Sequence, residues 1–128
     1  LNLIARMMRD DMQDVTNMEI LAWIPLMREF SSSVITSTND TVTVGLCRKD
    51  ELIMQKGGDN LLVLLQGSAV VEVCDVKIQE LTEGTVFGEA AVLGLVVNET
   101  LAVRALGSCL FLSVTHQDFM ASIERCGA

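Results

Sequence analysis

The residues best placed to do chemistry in this 128-residue sequence form one short run, Phe87-Gly88-Glu89-Ala90-Ala91-Val92-Leu93-Gly94. Its Ala-rich centre prefers a helical turn to a strand, although strand-forming residues precede it. A glycine at the start of a one-turn helix lets a ligand approach the backbone. The first N–H groups of that turn have no intrahelical acceptor and are free to meet it. Together these features make a cradle for an anion or a phosphate. On spacing alone, a plain connection between two sheets explains the run more economically.

Other chemistries find less support. Cys47, Cys74, Cys109 and Cys126 are widely spaced, with no CxxC pair, and His116 is the only histidine. A zinc site would have to be assembled from scattered parts, so free thiols in a reducing, cytosolic compartment are the expectation. A metal-dependent jelly-roll enzyme needs two or three histidines with a carboxylate. No serine or cysteine has a histidine base in a matching motif, and His116 reads as a surface or capping residue at a helix start. The sequence thus predicts no catalytic residue, no metal ligand set and no cofactor.

Charge narrows the partners. With 9 Lys plus Arg against 17 Asp plus Glu, the formal charge is −8. Sequence-independent binding to nucleic acid or anionic lipid depends on cationic side chains, so neither partner is expected. The longest wholly nonpolar stretch, residues 90–97, is far shorter than a membrane span, and no direct membrane insertion is expected. Residues 1–15 carry Arg6, Arg9, Asp10, Asp11 and Asp14, unlike a signal peptide. The expectation is a piece of a longer cytoplasmic chain, or the cytosolic domain of a membrane protein.

The elements that must position the Gly88 turn divide into helical ends and a β-rich middle. Leu1, Ile4, Met8, Met12 and Val15 recur at helical spacing. Thr16 or Asn17 can cap a second helix over 18–23, which Pro25 stops. Ser31, Ser32 and Ser33 offer caps for a short helix through Val34 and Ile35, closed by Asn39-Asp40. From residue 41, short β-rich runs alternate with turn residues every eight to ten positions. Strands are predicted over 41–46, 51–55, 61–66, 69–74, 77–81, 101–105 and 109–114, seven or eight in all. Thr115 and Asp118 mark the start of a closing helix over 116–124. With 128 residues there is one core to build, and helices at its two ends complete it.

Several of these runs coincide with one family. Ile24-Pro25-Leu26-Met27, Lys49-Asp50-Glu51-Leu52-Ile53, Gly57-Gly58-Asp59, Leu64-Leu65-Gln66-Gly67-Ser68-Ala69-Val70-Val71-Glu72 and Leu81-Thr82-Glu83-Gly84-Thr85-Val86-Phe87-Gly88-Glu89 resemble the cyclic nucleotide-binding domain. Leu101-Ala102-Val103-Arg104-Ala105, Cys109-Leu110-Phe111-Leu112 and Asp118-Phe119 continue the match, so that it spans residues 20–123. The resemblance implies a mainly β fold with flanking helices: an eight-stranded jelly-roll β-barrel with N-terminal helices and one C-terminal helix. Residues 1–40 would be a helical segment packed on the roll, 41–114 the roll with a phosphate-cassette-like segment at 86–105, and 115–128 the C-terminal helix.

By the same resemblance, Phe87, Gly88, Glu89, Ala90, Ala91, Asn98, Glu99 and Thr100 are the candidate ligand-binding residues. Gly88, Ala90 and Ala91 would offer N–H groups to a cyclic phosphate, and Glu89 would accept from a ribose hydroxyl. The arginine that pairs with the phosphate in the family falls here on Glu99, flanked by Asn98 and Thr100. Arg104 lies too far along its strand to substitute. The expectation is a regulatory domain with weak or absent cAMP and cGMP binding. The alternatives are a working receptor that holds phosphate with backbone N–H groups alone, or a sensor of a neutral nucleoside. The implied partners are that ligand and an effector domain of the parent chain, a kinase, channel or transporter. A homo-oligomer through the N-terminal helices is the further expectation.

Overall fold

The computed structural model describes residues 17–126. The segment 1–15, with its predicted helix and dimer role, lies outside the described residues. Two helical pieces come first: α1 (Asn17–Trp23) and α2 (Ser32–Asn39), joined by a 3-10 turn over Pro25–Glu29. The roll follows as β1 (Thr43–Cys47), β2 (Leu52–Met54), β3 (Leu61–Gln66), β4 (Ala69–Val73), β5 (Val76–Leu81) and β6 (Val86–Phe87). After the single turn of α3 (Glu89–Val92) come β7 (Leu101–Ala105), β8 (Cys109–Val114) and the closing helix α4 (His116–Cys126).

The eight strands form two antiparallel four-stranded sheets, ordered β1-β8-β3-β6 and β2-β7-β4-β5. Successive side chains on a strand point to opposite faces, so β3 and β8 serve two cores at once. Leu61, Val63, Leu65, Leu112 and Val114 pack under the helices with Ile24, Met27 and Phe119. Leu62, Leu64, Cys109 and Phe111 pack against Val71, Val103 and Ala105 of the second sheet. This accounts for the unbroken apolar run Leu61-Leu62-Val63-Leu64-Leu65, because a strand covered on both faces does not alternate. By contrast β5, an edge strand, exposes every residue from Val76 to Glu80.

Local signals set the helix ends. The Ser31 hydroxyl accepts from the Val34 N–H at 3.4 Å to start α2, and the Thr115 hydroxyl accepts from the Asp118 N–H at 3.1 Å to start α4. Pro25 ends α1 and also opens the 3-10 turn, since a first helical position has no need of an N–H. The helical pieces on either side of the roll then lock together. The rings of Phe30 and Phe119 meet edge to face at 5.4 Å, and the Ser37 hydroxyl donates to that of Ser122 at 3.2 Å. No described helix is long and apolar enough to cross a membrane.

Candidate functional site

A cavity of about 550 Å³ opens where β6 and α3 face the second sheet. The run Val86, Phe87, Gly88, Glu89, Ala90 and Ala91 lines it together with Met54, Gly58, Asn60, Gln79, Val96, Asn98 and Leu101. Among the sequence-predicted residues, the structure therefore brings together Phe87, Gly88, Glu89, Ala90, Ala91 and Asn98. Glu99 and Thr100 lie just beyond the lining.

The turn at Gly88 is fixed by backbone geometry. Gly88 has φ 94° and ψ 19°, in the left-handed region, and a Cβ there would overlap the carbonyl oxygen of Asn60. Only glycine meets both conditions without strain. Asn60 is anchored in turn, its Nδ2 donating to the Ser113 hydroxyl at 2.6 Å. The first intrahelical bond of α3 runs from the Val92 N–H to the Gly88 carbonyl at 2.9 Å. The amides of Glu89, Ala90 and Ala91 therefore have no intrahelical acceptor, and all three residues line the cavity.

The electrostatics of the lining are simple. Glu89, half-buried, is the only ionisable side chain of the lining among the described residues, and no hydrogen bond or ion pair with another described residue holds its carboxylate. Among the described residues, no lysine or arginine lines the cavity. Arg104 is committed elsewhere: its Nε donates to both oxygens of the buried Glu72, at 3.2 and 3.1 Å, and its Nη1 donates to the Asp50 carbonyl at 2.7 Å. Asn98 shapes a turn of its own, its Oδ1 accepting from the Thr100 N–H at 3.1 Å and the Thr100 hydroxyl at 3.0 Å. Glu99 rides on this turn, exposed, with its backbone against Gly57.

His116 departs from its expected surface or capping role. Its half-buried ring reaches the end of α3, where Nδ1 donates to the Val92 carbonyl at 2.7 Å. That acceptor fixes the proton on Nδ1. A Cβ at Gly94, whose φ is +77°, would lie 2.9 Å from the imidazole Cε1. The Asp59 carboxylate accepts the His116 backbone N–H at 3.4 Å. His116 thus ties the cavity turn and the loop before β3 to the first residue of α4.

Sequence reasoning missed Met54, Gly58, Asn60, Gln79, Val86, Val96 and Leu101 as lining residues. They come from elements far apart in the chain, and of them only Gly58, Val86 and Leu101 stood in the runs that carry the family resemblance. Among the described residues, no cluster of three His, Cys, Asp or Glu side chains is arranged to hold a metal ion.

No protein-family model matches the sequence, and no curated protein matches it. Solved structures do. The chain is similar to the regulatory domain of Toxoplasma gondii PKA, crystallised with cAMP, with a TM-score of 0.67 and 18% identity over 83% of this chain and 43% of that one. It is similar to the sensor domain of the transcriptional regulator DNR from Pseudomonas aeruginosa, with a TM-score of 0.71 and 11% identity over 85% and 81% of the two chains. A cyclic nucleotide-binding-like protein from Brucella abortus gives 0.67 and 16% over 84% and 97%. The chain spans less than half the length of the first of these. The fold is that of cyclic nucleotide-binding domains, a jelly roll with helices at both ends.

Proposed function

We propose that this chain is a non-catalytic, cytoplasmic regulatory domain that senses a small ligand in the cavity at Gly88 and passes its state to an effector domain of a longer protein. A kinase, channel or transporter is the class of effector that fits. The observation that carries this reading is a cavity built around the glycine-entered turn, with Glu89 as the only ionisable lining residue among those described. For a cyclic phosphate that environment is poor. An ion pair at 4 Å is worth about 4 kcal/mol at an effective dielectric near 20, and micromolar affinity totals about 8 kcal/mol. A pocket without that pair gives up roughly half of such an affinity. Glu99, on the rim, adds a second negative charge near the mouth.

The domain therefore binds cAMP and cGMP weakly or not at all. The side-chain amides of Asn60, Gln79 and Asn98 in the lining favour an uncharged, hydrogen-bonding ligand such as a nucleoside. Phosphate held by the Glu89, Ala90 and Ala91 amides alone is the second reading, supported by their lack of intrahelical acceptors. Transmission follows from the contact of His116 with Val92. A ligand that favours one placement of α3 shifts the population of α4 placements with it.

Calorimetric titration and thermal shift with cAMP, cGMP, adenosine and inosine test the reading, since a ligand of the folded state raises its melting temperature. Adenosine or inosine is expected to stabilise the wild type, and cAMP and cGMP are not. Asn98→Arg, inside the lining, and Glu99→Arg, on the rim, are expected to create cyclic nucleotide affinity, the former more strongly. Micromolar or tighter binding of either cyclic nucleotide by the wild type would overturn the proposal.

A further inference from the structure

β1 and β8 pair in a register that sets Cys47 directly opposite Cys109. The two side chains share the inner face of their sheet: Cys109 is buried in the core between the sheets, and Cys47 packs at its margin. Directly opposed residues of an antiparallel pair hold their Cα atoms about 4.5–5.5 Å apart. Disulfides span Cα separations of about 4.4–6.8 Å, so no backbone movement is required to bring these positions into range. Each thiol now donates to its own carbonyl, Cys47 to Leu52 at 3.5 Å and Cys109 to Ser68 at 3.1 Å. Both line a second cavity, of about 390 Å³, beside Arg48, Glu51 and Gln66, with Cys47 half-buried and Cys109 buried behind it.

We propose that Cys47 and Cys109 form a redox pair, closing to a cross-strand disulfide by exchange with a low-molecular-weight disulfide such as oxidised glutathione. The more exposed Cys47, as thiolate, attacks one glutathione sulfur and releases the other half as a thiolate. The Cys109 thiolate then attacks the Cys47 sulfur of the mixed disulfide and expels the second glutathione. Two protein thiols lose two electrons, one glutathione disulfide gains them, and the two thiol protons end on the departing glutathiones at neutral pH. The closed bridge ties the edge strand β1 to β8 and encloses everything from β2 to β7, the Gly88 cavity included. Burial raises both thiols above the ordinary thiol value, with Glu51 adding to the effect at Cys47. Exchange is therefore slow at neutral pH and quickens by about tenfold per pH unit on the acid side of the thiol pKa.

The test is incubation of the intact wild-type chain with oxidised glutathione at neutral and mildly alkaline pH, followed by alkylation and peptide mass mapping. The expected product links the Cys47 and Cys109 peptides with loss of two hydrogens, forms faster at alkaline pH, melts several degrees higher and reverts with dithiothreitol. The same link is expected in a Cys74→Ser, Cys126→Ser double variant. Two outcomes would overturn the proposal: Cys47 and Cys109 both staying alkylatable while the exposed Cys74 is glutathionylated, or Cys47 linking only to glutathione, Cys74 or Cys126.

Discussion

Gly88 shows how a single residue can be demanded twice, by its positive φ and by the Asn60 carbonyl where a Cβ would stand. Gly88→Ala should cost at least about 1–2 kcal/mol from the backbone conformation alone, and more from the overlap. Thermal or urea unfolding measures it, and an unchanged midpoint would mean that the turn relaxes. Arg104 carries a different kind of constraint, because it neutralises a carboxylate that is almost fully buried. Arg104→Ala should destabilise by about 2 kcal/mol by stranding Glu72, whereas an apolar pair at both positions should fold nearly as well as the wild type. The glycine turn was legible in the sequence because its signal is local. The environment of His116 was not, since its partners at Val92 and Gly94 lie in another element and nothing adjacent in the chain announces them. Glu99 belongs with it: counting along the chain locates the turn, but the Asn98 side-chain bonds to Thr100 decide which residue lines the cavity.

Among the elements, those with a covered face and a local cap were the readable ones. α4 begins at the Thr115 hydroxyl anticipated for it, and β3, β7 and β8 occupy the predicted spans. β6 escaped notice, because two residues hold no periodicity; its existence is decided by Leu62 and Val63 across the sheet. Pro25 was readable as a stop, yet the same fixed φ that ends α1 begins the 3-10 turn. The cap on α4 gives a modest prediction: Thr115→Ala should lose about 1 kcal/mol in denaturant unfolding. A larger one concerns Phe119, fully buried where α4 meets Phe30 and the sheet. Phe119→Ala should cost about 3–5 kcal/mol and loosen α4 from α2. Loss of the near-ultraviolet aromatic signal alongside an intact β spectrum would locate that damage in the helical layer.

For the whole molecule, alkaline pH is the informative variable. Cys47 and Cys109 both have folded-state pKa values raised by burial, so the folded chain holds their protons more tightly than the unfolded chain. Their contribution to stability is complete below the unfolded thiol value and declines as pH rises through the folded values. Reduced protein should therefore lose stability above about pH 9, and the Cys47→Ala, Cys109→Ala variant should show a flatter alkaline limb in chemical unfolding. The layering carries a further implication. The sheet β1-β8-β3-β6 stands between two apolar clusters, one shared with the helices and one with the second sheet. The expected behaviour is that the helical layer opens while the inter-sheet cluster remains shut, as two cooperative units with different opening free energies. Amide hydrogen exchange should resolve them as a faster set in α1, α2 and α4 and a slower set in β3, β4 and β7. A shared middle layer thus makes one small domain thermodynamically divisible, with a reversible loosening of its ends that leaves the strand ladders intact.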